Sequence, residues 1–162
     1  MKDKELQFNQ VVREHKSTIY TVCLMFSEDA DRVEDLVQET LINIWQGFNT
    51  FEHRSNIRTW IWRIAMNTCI SEERKRKRRP ESSNIDALCN KICSPDDARE
   101  KQQVQMLYDR IHRLALMDRA IVLLWLENQT YEEIGKIIGI SAKNVSVRLV
   151  RIRQQLMNMN EV

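Results

Sequence analysis

This chain of 162 residues is poor in the residues that punctuate structure, with only three glycines and two prolines. Helical apolar spacing recurs almost throughout instead, so an all-α protein is the expectation. Long hydrophobic runs are missing as well. The longest, Ile121 to Leu126, is far too short to cross a bilayer. The first ten residues, MKDKELQFNQ, are charged and lack the apolar segment of a secretory signal. The four cysteines (Cys23, Cys69, Cys89 and Cys93) show no CxxC spacing and read as free thiols of a cytoplasmic protein. Cys89 and Cys93 could reach one metal ion, together with His112, only if their stretch were helical. The expectation is therefore no metal and no cofactor. Catalytic constellations are missing too. Gly135-Lys136 lacks the upstream glycine and following hydroxyl of a phosphate-binding loop, and no HExxH or GxSxG occurs. His15, His53 and His112 are scattered, so an enzyme is not expected.

What the chain does have is segregated charge. The net value of +2 hides six consecutive cations at residues 74–79 (RKRKRR). It also hides six carboxylates within residues 28–39: Glu28, Asp29, Asp31, Glu34, Asp35 and Glu39. Separate surfaces of opposite sign suit a nucleic acid and a protein partner respectively. A solvated helix face is the plainer reading of either run.

Residues 130–157, TYEEIGKIIGISAKNVSVRLVRIRQQLM, have the spacing of a helix-turn-helix. Thr130 and Glu133 form a capping box for one short helix. Gly135 leaves room for a close helix crossing, and Gly139 supplies a turn at positive φ. Ser141 can cap the next helix, whose Val145, Leu149, Ile152 and Leu156 repeat on one face. The other face carries Lys143, Asn144, Ser146, Arg148, Arg151 and Arg153. A capped helix with a basic, amide-bearing outer face is suited to a DNA major groove.

The remaining chain divides around a break in periodicity. Residues 5–26 predict an amphipathic helix with Leu6, Phe8, Val11, Val12, Ile19, Val22, Cys23 and Phe26 inward. A second helix, about 30–46, turns Val33, Val37, Thr40, Leu41 and Ile44 inward. A third, capped by Ser55 or Asn56, runs to about Arg79 and buries Ile57, Trp60, Ile61, Ile64, Ala65 and Thr68. Residues 80–94 lose the pattern and read as a linker. Ser94-Pro95-Asp96-Asp97 is a helix start whose helix runs to about Leu116. Asp118 caps a further helix carrying Ile121, Val122, Leu124 and Trp125. The expected architecture is two small helical domains, 1–79 and 95–162, joined by that tether.

The helix at 30–46 also shows an outward stripe of Asp31, Asp35, Gln38, Glu39 and Ile42. On the third helix, Arg58, Trp62, Arg63 and Asn67 fall off the buried stripe. Those residue types stack on, hydrogen-bond to and neutralise an unpaired strand. For Trp62 a place in the core is an equally open reading.

Taken together, DLVQETLINIW, FEHRSNIRTWIWRIAMNTCISE, YEEIGKIIGIS and NVSVRLVRIR resemble a bacterial sigma factor. The resemblance is to the extracytoplasmic-function group of the sigma-70 superfamily, and it spans nearly the whole chain in order. It implies a first domain that binds core RNA polymerase and the melted −10 strand, and a second that reads the −35 duplex. Asp35, Gln38, Glu39 and Ile42 then fall on the polymerase-binding helix. His53, Arg54, Ser55 and Asn56 fall in the loop that shapes −10 preference, and Asn67 falls at the position of a −10 base-reading asparagine. Ser141, Lys143, Asn144, Ser146, Arg148 and Arg151 fall on or at the cap of the −35 helix. Apart from the resemblance, the charge density of the basic run suggests that Arg74, Arg76, Lys77 and Arg78 meet the DNA backbone. A cognate anti-sigma factor is a further expected partner, with no membrane insertion. Two positions depart from the family pattern. His53-Arg54 replaces the usual Gly-acid pair, and Leu116-Met117-Asp118 replaces the usual Leu-Pro. A stand-alone dimeric helix-turn-helix regulator is the alternative, although no heptad seam is present to form its dimer. An adaptor protein that uses only the acidic helix would leave the basic one unexplained.

Overall fold

The computed structural model describes residues 2–27, 29–52, 54–78 and 98–159. Among these residues the secondary structure is seven α-helices and one short 3-10 turn, without strands. They are α1 (Lys2–Phe26), α2 (Ala30–Gly47), α3 (Ile57–Arg78), α4 (Ala98–His112), α5 (Leu116–Leu126), α6 (Tyr131–Ile138) and α7 (Ala142–Asn158). The chain forms two compact units, Met1–Ala87 and Leu88–Val162. The Ser94-Pro95-Asp96-Asp97 start signal, Arg79, Cys89 and Cys93 lie outside the described residues. No described helix is long and apolar enough to cross a membrane.

In the first unit, α1, α2 and α3 pack on one another through the stripes that their periodicity requires. Asp29 caps α2, its Oδ1 accepting the Asp31 N–H at 3.1 Å. The core takes Ile19, Val22, Met25 and Phe26 from α1, Val33, Leu36 and Ile44 from α2, and Ile61, Ala65 and Met66 from α3. Three expectations shift. Leu6 is 67% exposed, because it lies on the side of α1 opposite the edge on which Lys4 and Phe8 meet Trp45. Leu36 is buried, whereas Val37 and Leu41 are only half-buried, which turns the α2 stripe slightly from the expected one. Trp62 is 1% exposed, so its indole is a core group and cannot stack on a DNA strand. α3 lies against both α1 and α2, so its buried arc is wide enough to include position 62 beside Ile61 and Ala65. The Trp62 Nε1 has no hydrogen-bond partner in this core.

Three polar side chains sit in the same interior. The Cys69 thiol donates to Cys23 Sγ at 3.9 Å, and Cys23 Sγ lies 4.0 Å from Thr40 Oγ1. Both thiols are free and buried. The hydrogen bond to Cys23 and then burial push the Cys69 thiol well above the usual cysteine range.

A buried carboxylate ties α2 to the basic end of α3. Glu73 accepts from Arg32 Nη2 at 3.0 Å and from Arg76 Nη2 at 2.7 Å. A carboxylate with one oxygen bonded to each of two guanidinium groups satisfies its desolvation requirement locally.

In the second unit, α5 supplies the most continuous core segment, Ala120 to Leu124, while Trp125 is exposed. α4 stops at His112, short of the expected Leu116. Arg119 fixes this corner by donating to the carbonyls of Leu114, at 3.1 Å, and His112, at 2.6 Å. A guanidinium on the last carbonyls of a helix completes its C-terminus. Ala115 consequently takes the N-cap position of α5, with extended backbone, and Asp118 falls inside the first turn.

Replacing Glu73 with Gln removes the charge from both Arg contacts at constant volume. Urea unfolding of the variant is expected to show a loss of about 1.5–3 kcal/mol, the range for hydrogen bonds to charged groups. A change below about 0.5 kcal/mol would show that the bridge only orients its helices.

Candidate nucleic-acid and polymerase interfaces

The helix-turn-helix is assembled by caps and by one close backbone approach. Thr130 Oγ1 accepts the Glu133 N–H at 3.2 Å, and the Glu133 carboxylate accepts the Thr130 N–H at 2.8 Å. Gly139 ends α6 at φ 89°, the left-handed region that glycine enters without strain. The Gly135 carbonyl accepts from Gly139 at 2.8 Å and from Ile140 at 3.0 Å. A Cβ at Gly135 would stand 2.5 Å from the Ile140 carbonyl oxygen. The small residue is thus required by the turn itself, rather than by a helix crossing. Ser141 Oγ then accepts the Asn144 N–H at 3.2 Å and starts α7.

Val145, Leu149 and Ile152 bury the inner face of α7. Lys143, Asn144 and Arg151 stand exposed on the outer face, and Ser146 is half-buried at its flank. Arg148 is different. Its Nη1 donates to Asp118 Oδ1 at 3.0 Å, bracing α7 against α5. Thirty residues separate the two partners, so neither helix pattern by itself revealed the pair. Also unremarked in the sequence are Val147 and Val150, exposed apolar side chains on α7.

In the first unit an aromatic chain holds the loop between α2 and α3. Phe8 meets Trp45 edge-on with ring centroids 5.0 Å apart, and Phe48 at 6.1 Å. Trp60 meets Phe48 at 6.4 Å and Phe51 at 4.8 Å. A Cβ at Gly47 would lie 3.1 Å from the Trp60 ring, so the smallest residue stands where the ring comes closest. Lys4 Nζ sits 4.1 Å over the Trp45 ring and closes the cluster at its edge.

Within the loop so anchored, Arg54 pairs with Glu52 at 2.6 Å, and both side chains are exposed. Ser55 is half-buried. Asn56 is the helix cap of the two expected candidates, its Oδ1 accepting the Arg58 N–H at 3.0 Å. His53 lies outside the described residues. Arg58, Arg63 and Asn67 are exposed on α3. Burial holds His15 on α1 below its usual imidazole value of 6.5. Glu14 opposes that shift, and Arg58 at the start of α3 adds to it. Asn67 opens onto a polar groove of about 360 Å³, lined also by Glu39, Asn43 and Ser71. There the Asn43 amide donates to Thr68 Oγ1 at 2.9 Å.

Asp35, Gln38, Glu39 and Ile42 are all exposed on α2, with Ile42 at 48%. Glu39 also reaches the groove of Asn67, so the acidic face and the α3 residues meet along one edge. At the far end of α3, Arg74, Lys77 and Arg78 are exposed. Arg76 is committed to Glu73 and Lys75 to Glu72, at 2.8 Å. The basic run therefore offers fewer free charges than its composition suggests.

Comparison with known proteins matches these two groups of residues separately. The Sigma-70 region 2 family matches residues 11–79, and the Sigma-70 region 4 family matches residues 105–156. The ECF RNA polymerase sigma-E factor of Escherichia coli K12 is 27% identical over 97% of this chain and 88% of its own length. The ECF RNA polymerase sigma factor SigG of Mycobacterium tuberculosis is 36% identical over 45% of this chain and 20% of its own. Among solved structures, the sigma factor RpoE of Bartonella quintana, crystallised with the anti-sigma factor NepR, aligns at TM-score 0.74 with 24% identity. That alignment covers 100% of this chain and 99% of that one. CnrH, solved with the cytosolic domain of CnrY, aligns at 0.70 with 19% identity, over 97% and 89% of the two chains.

Gly135→Ala tests the turn directly. The added methyl meets a backbone carbonyl rather than a movable side chain, so α6 and α7 must separate. A loss of about 1–3 kcal/mol is expected for the second unit by thermal or urea unfolding. A variant as stable as the parent would show that the turn relaxes freely.

Proposed function

The chain belongs to the sigma-70 family of RNA polymerase sigma factors, in its extracytoplasmic-function group, and from that membership we propose how its residues share the task. As a sigma factor it directs core RNA polymerase to promoters and acts in transcription initiation. The stand-alone dimeric regulator is not favoured. The first domain, residues 1–79, engages polymerase through Asp35, Gln38, Glu39 and Ile42 on α2. It holds the melted −10 strand with the loop 53–56 and with Arg58, Arg63 and Asn67. The second domain, residues 95–162, reads the −35 duplex with α7, and residues 80–94 join the two. Work of this kind places the protein in the cytoplasm, without a catalytic site of its own. Two structural relatives were solved with the partners named above, which supports an anti-sigma factor for this chain too.

The observation that carries this reading is α7, a capped helix whose outer face presents Lys143, Asn144 and Arg151 to solvent. First-turn groups of such a helix reach base edges, and later cations meet phosphate. In the first domain, the Asn67 amide can donate and accept at once, as the edge of an unstacked base requires. Arg148 and Arg76 brace the protein through their ion pairs at its surface, and Trp62 acts as core. The direct experiment is run-off transcription from genomic fragments with core polymerase, with and without this protein. New start sites sharing spaced −35 and −10 elements are expected, and their absence would overturn the reading.

Two substitutions test the division of labour. Ile42→Arg changes an exposed apolar side chain among polar neighbours, so the thermal melt should hold while core binding weakens by about 2 kcal/mol or more. Retained binding would move the anchor away from this face. Neutralising Arg74, Lys77 and Arg78 together spares the Glu73 bridge. It should reduce the salt slope of promoter binding by about two to three ions. An unchanged slope would make the end of α3 a solvated helix terminus.

A further inference from the structure

α7 carries an apolar side chain where a groove-reading helix presents its centre. At about 100° per residue, Val145, Leu149 and Ile152 define one narrow stripe, and all three are buried. Val147 lies almost diametrically opposite that stripe and is 45% exposed. Lys143 stands one turn before it and Arg151 one turn after, so cations bracket it along the outer face. Arg148, the adjacent side chain on the α5 side, is held by Asp118 at 3.0 Å. Ser146 on the other flank is short and half-buried. Val147 thus keeps an open apolar surface between the two cations. An exposed valine on an ordinary solvated helix needs no partner. On the outermost line of a recognition helix it faces the floor of the groove.

We infer that Val147 reads the C5-methyl of a thymine in the −35 duplex and is a specificity-determining residue of α7. The inference rests on the assignment of α7 to −35 recognition. In the major groove the thymine methyl is the one apolar feature, and it separates T·A from every other pair. A valine has no polar atom to compete for base edges, and its branched methyls match that feature in kind. Lys143 and Asn144 are left to the hydrogen-bonding edges of the neighbouring bases. Arg151, further along the helix, is left to a phosphate. A −35 element for this protein should accordingly contain a thymine, on one strand or the other, beside the pairs read by Lys143 and Asn144.

The test uses holoenzyme, core polymerase with the full chain. Selection from promoter fragments randomised over the −35 region first returns the preferred sequence. Each thymine of that sequence, on both strands, is then replaced singly by uracil, which removes the methyl and keeps every hydrogen-bonding group. Wild-type binding should fall about fourfold at one position, the effect of one methylene-sized apolar contact. Val147→Ala, which keeps α7 helical, should bind the unmodified duplex about fourfold more weakly and lose nothing more at that uracil. Lys143→Ala should retain the uracil effect. The inference is overturned if no uracil weakens the wild type, if V147A remains uracil-sensitive, or if the preferred element lacks thymine on both strands. A selection that returns no preferred −35 sequence overturns the assignment of α7 as well, and so is distinct from failure of the methyl contact alone.

Discussion

The second unit depends on the space left empty at Gly135. Its carbonyl receives the N–H groups of Gly139 and Ile140, and its Cα faces the Ile140 carbonyl at a distance no Cβ could share. The left-handed turn at Gly139, the cap at Ser141 and the heading of α7 all follow from that approach. α6 and α7 thereby acquire one fixed angle. A helix that must enter a groove at a set tilt needs that rigidity more than it needs extra contact surface.

Charge in this protein is sorted by tertiary contacts rather than by composition. Arg76 and Arg148 belong to basic stretches, yet each meets a carboxylate on another helical turn or another helix. The Glu73 bridge is buried on its acidic side, whereas both side chains of the Asp118 pair are partly exposed and the pair contributes at most about 1 kcal/mol. What is left exposed is a thinner set of cations, on the last turns of α3 and the outer face of α7. Lys and Arg counts therefore overstate how many phosphates this chain can meet.

Much of the architecture was legible in the amino-acid sequence, because it is encoded locally. The capping box at Thr130 and Glu133, the turn at Gly139 and the Ser141 cap each need only four or five consecutive residues, and all are present. The exposure of Ile42 and the burial of Ile61 likewise follow from helical spacing. The failures share a cause. Trp62 is buried because α3 packs against two helices, and a single-stripe pattern cannot represent so wide an arc. Leu6 is exposed because it falls on the far side of α1 from Lys4 and Phe8, which face Trp45. The commitments of Arg76 and Arg148, and the role of Arg119 at the α4–α5 corner, depend on distant backbone or carboxylate groups. Val147 escaped notice for the opposite reason. It looked like core chemistry and stands on the outside.

The buried thiols of the first unit give this protein an internal clock. Cys69 is held as the neutral thiol by its neighbour and by burial, and only a thiolate attacks an alkylating reagent at a useful rate. Its modification therefore has to wait for α1 and α3 to part. The rate at which the Cys69 peptide gains label, followed by mass spectrometry, becomes a measure of how often the three-helix unit opens. Because Cys69 shares α3 with Asn67, and its partner Cys23 touches Thr40 on the helix that carries Ile42, that measure would report how far polymerase or promoter DNA quiets the unit's breathing when bound.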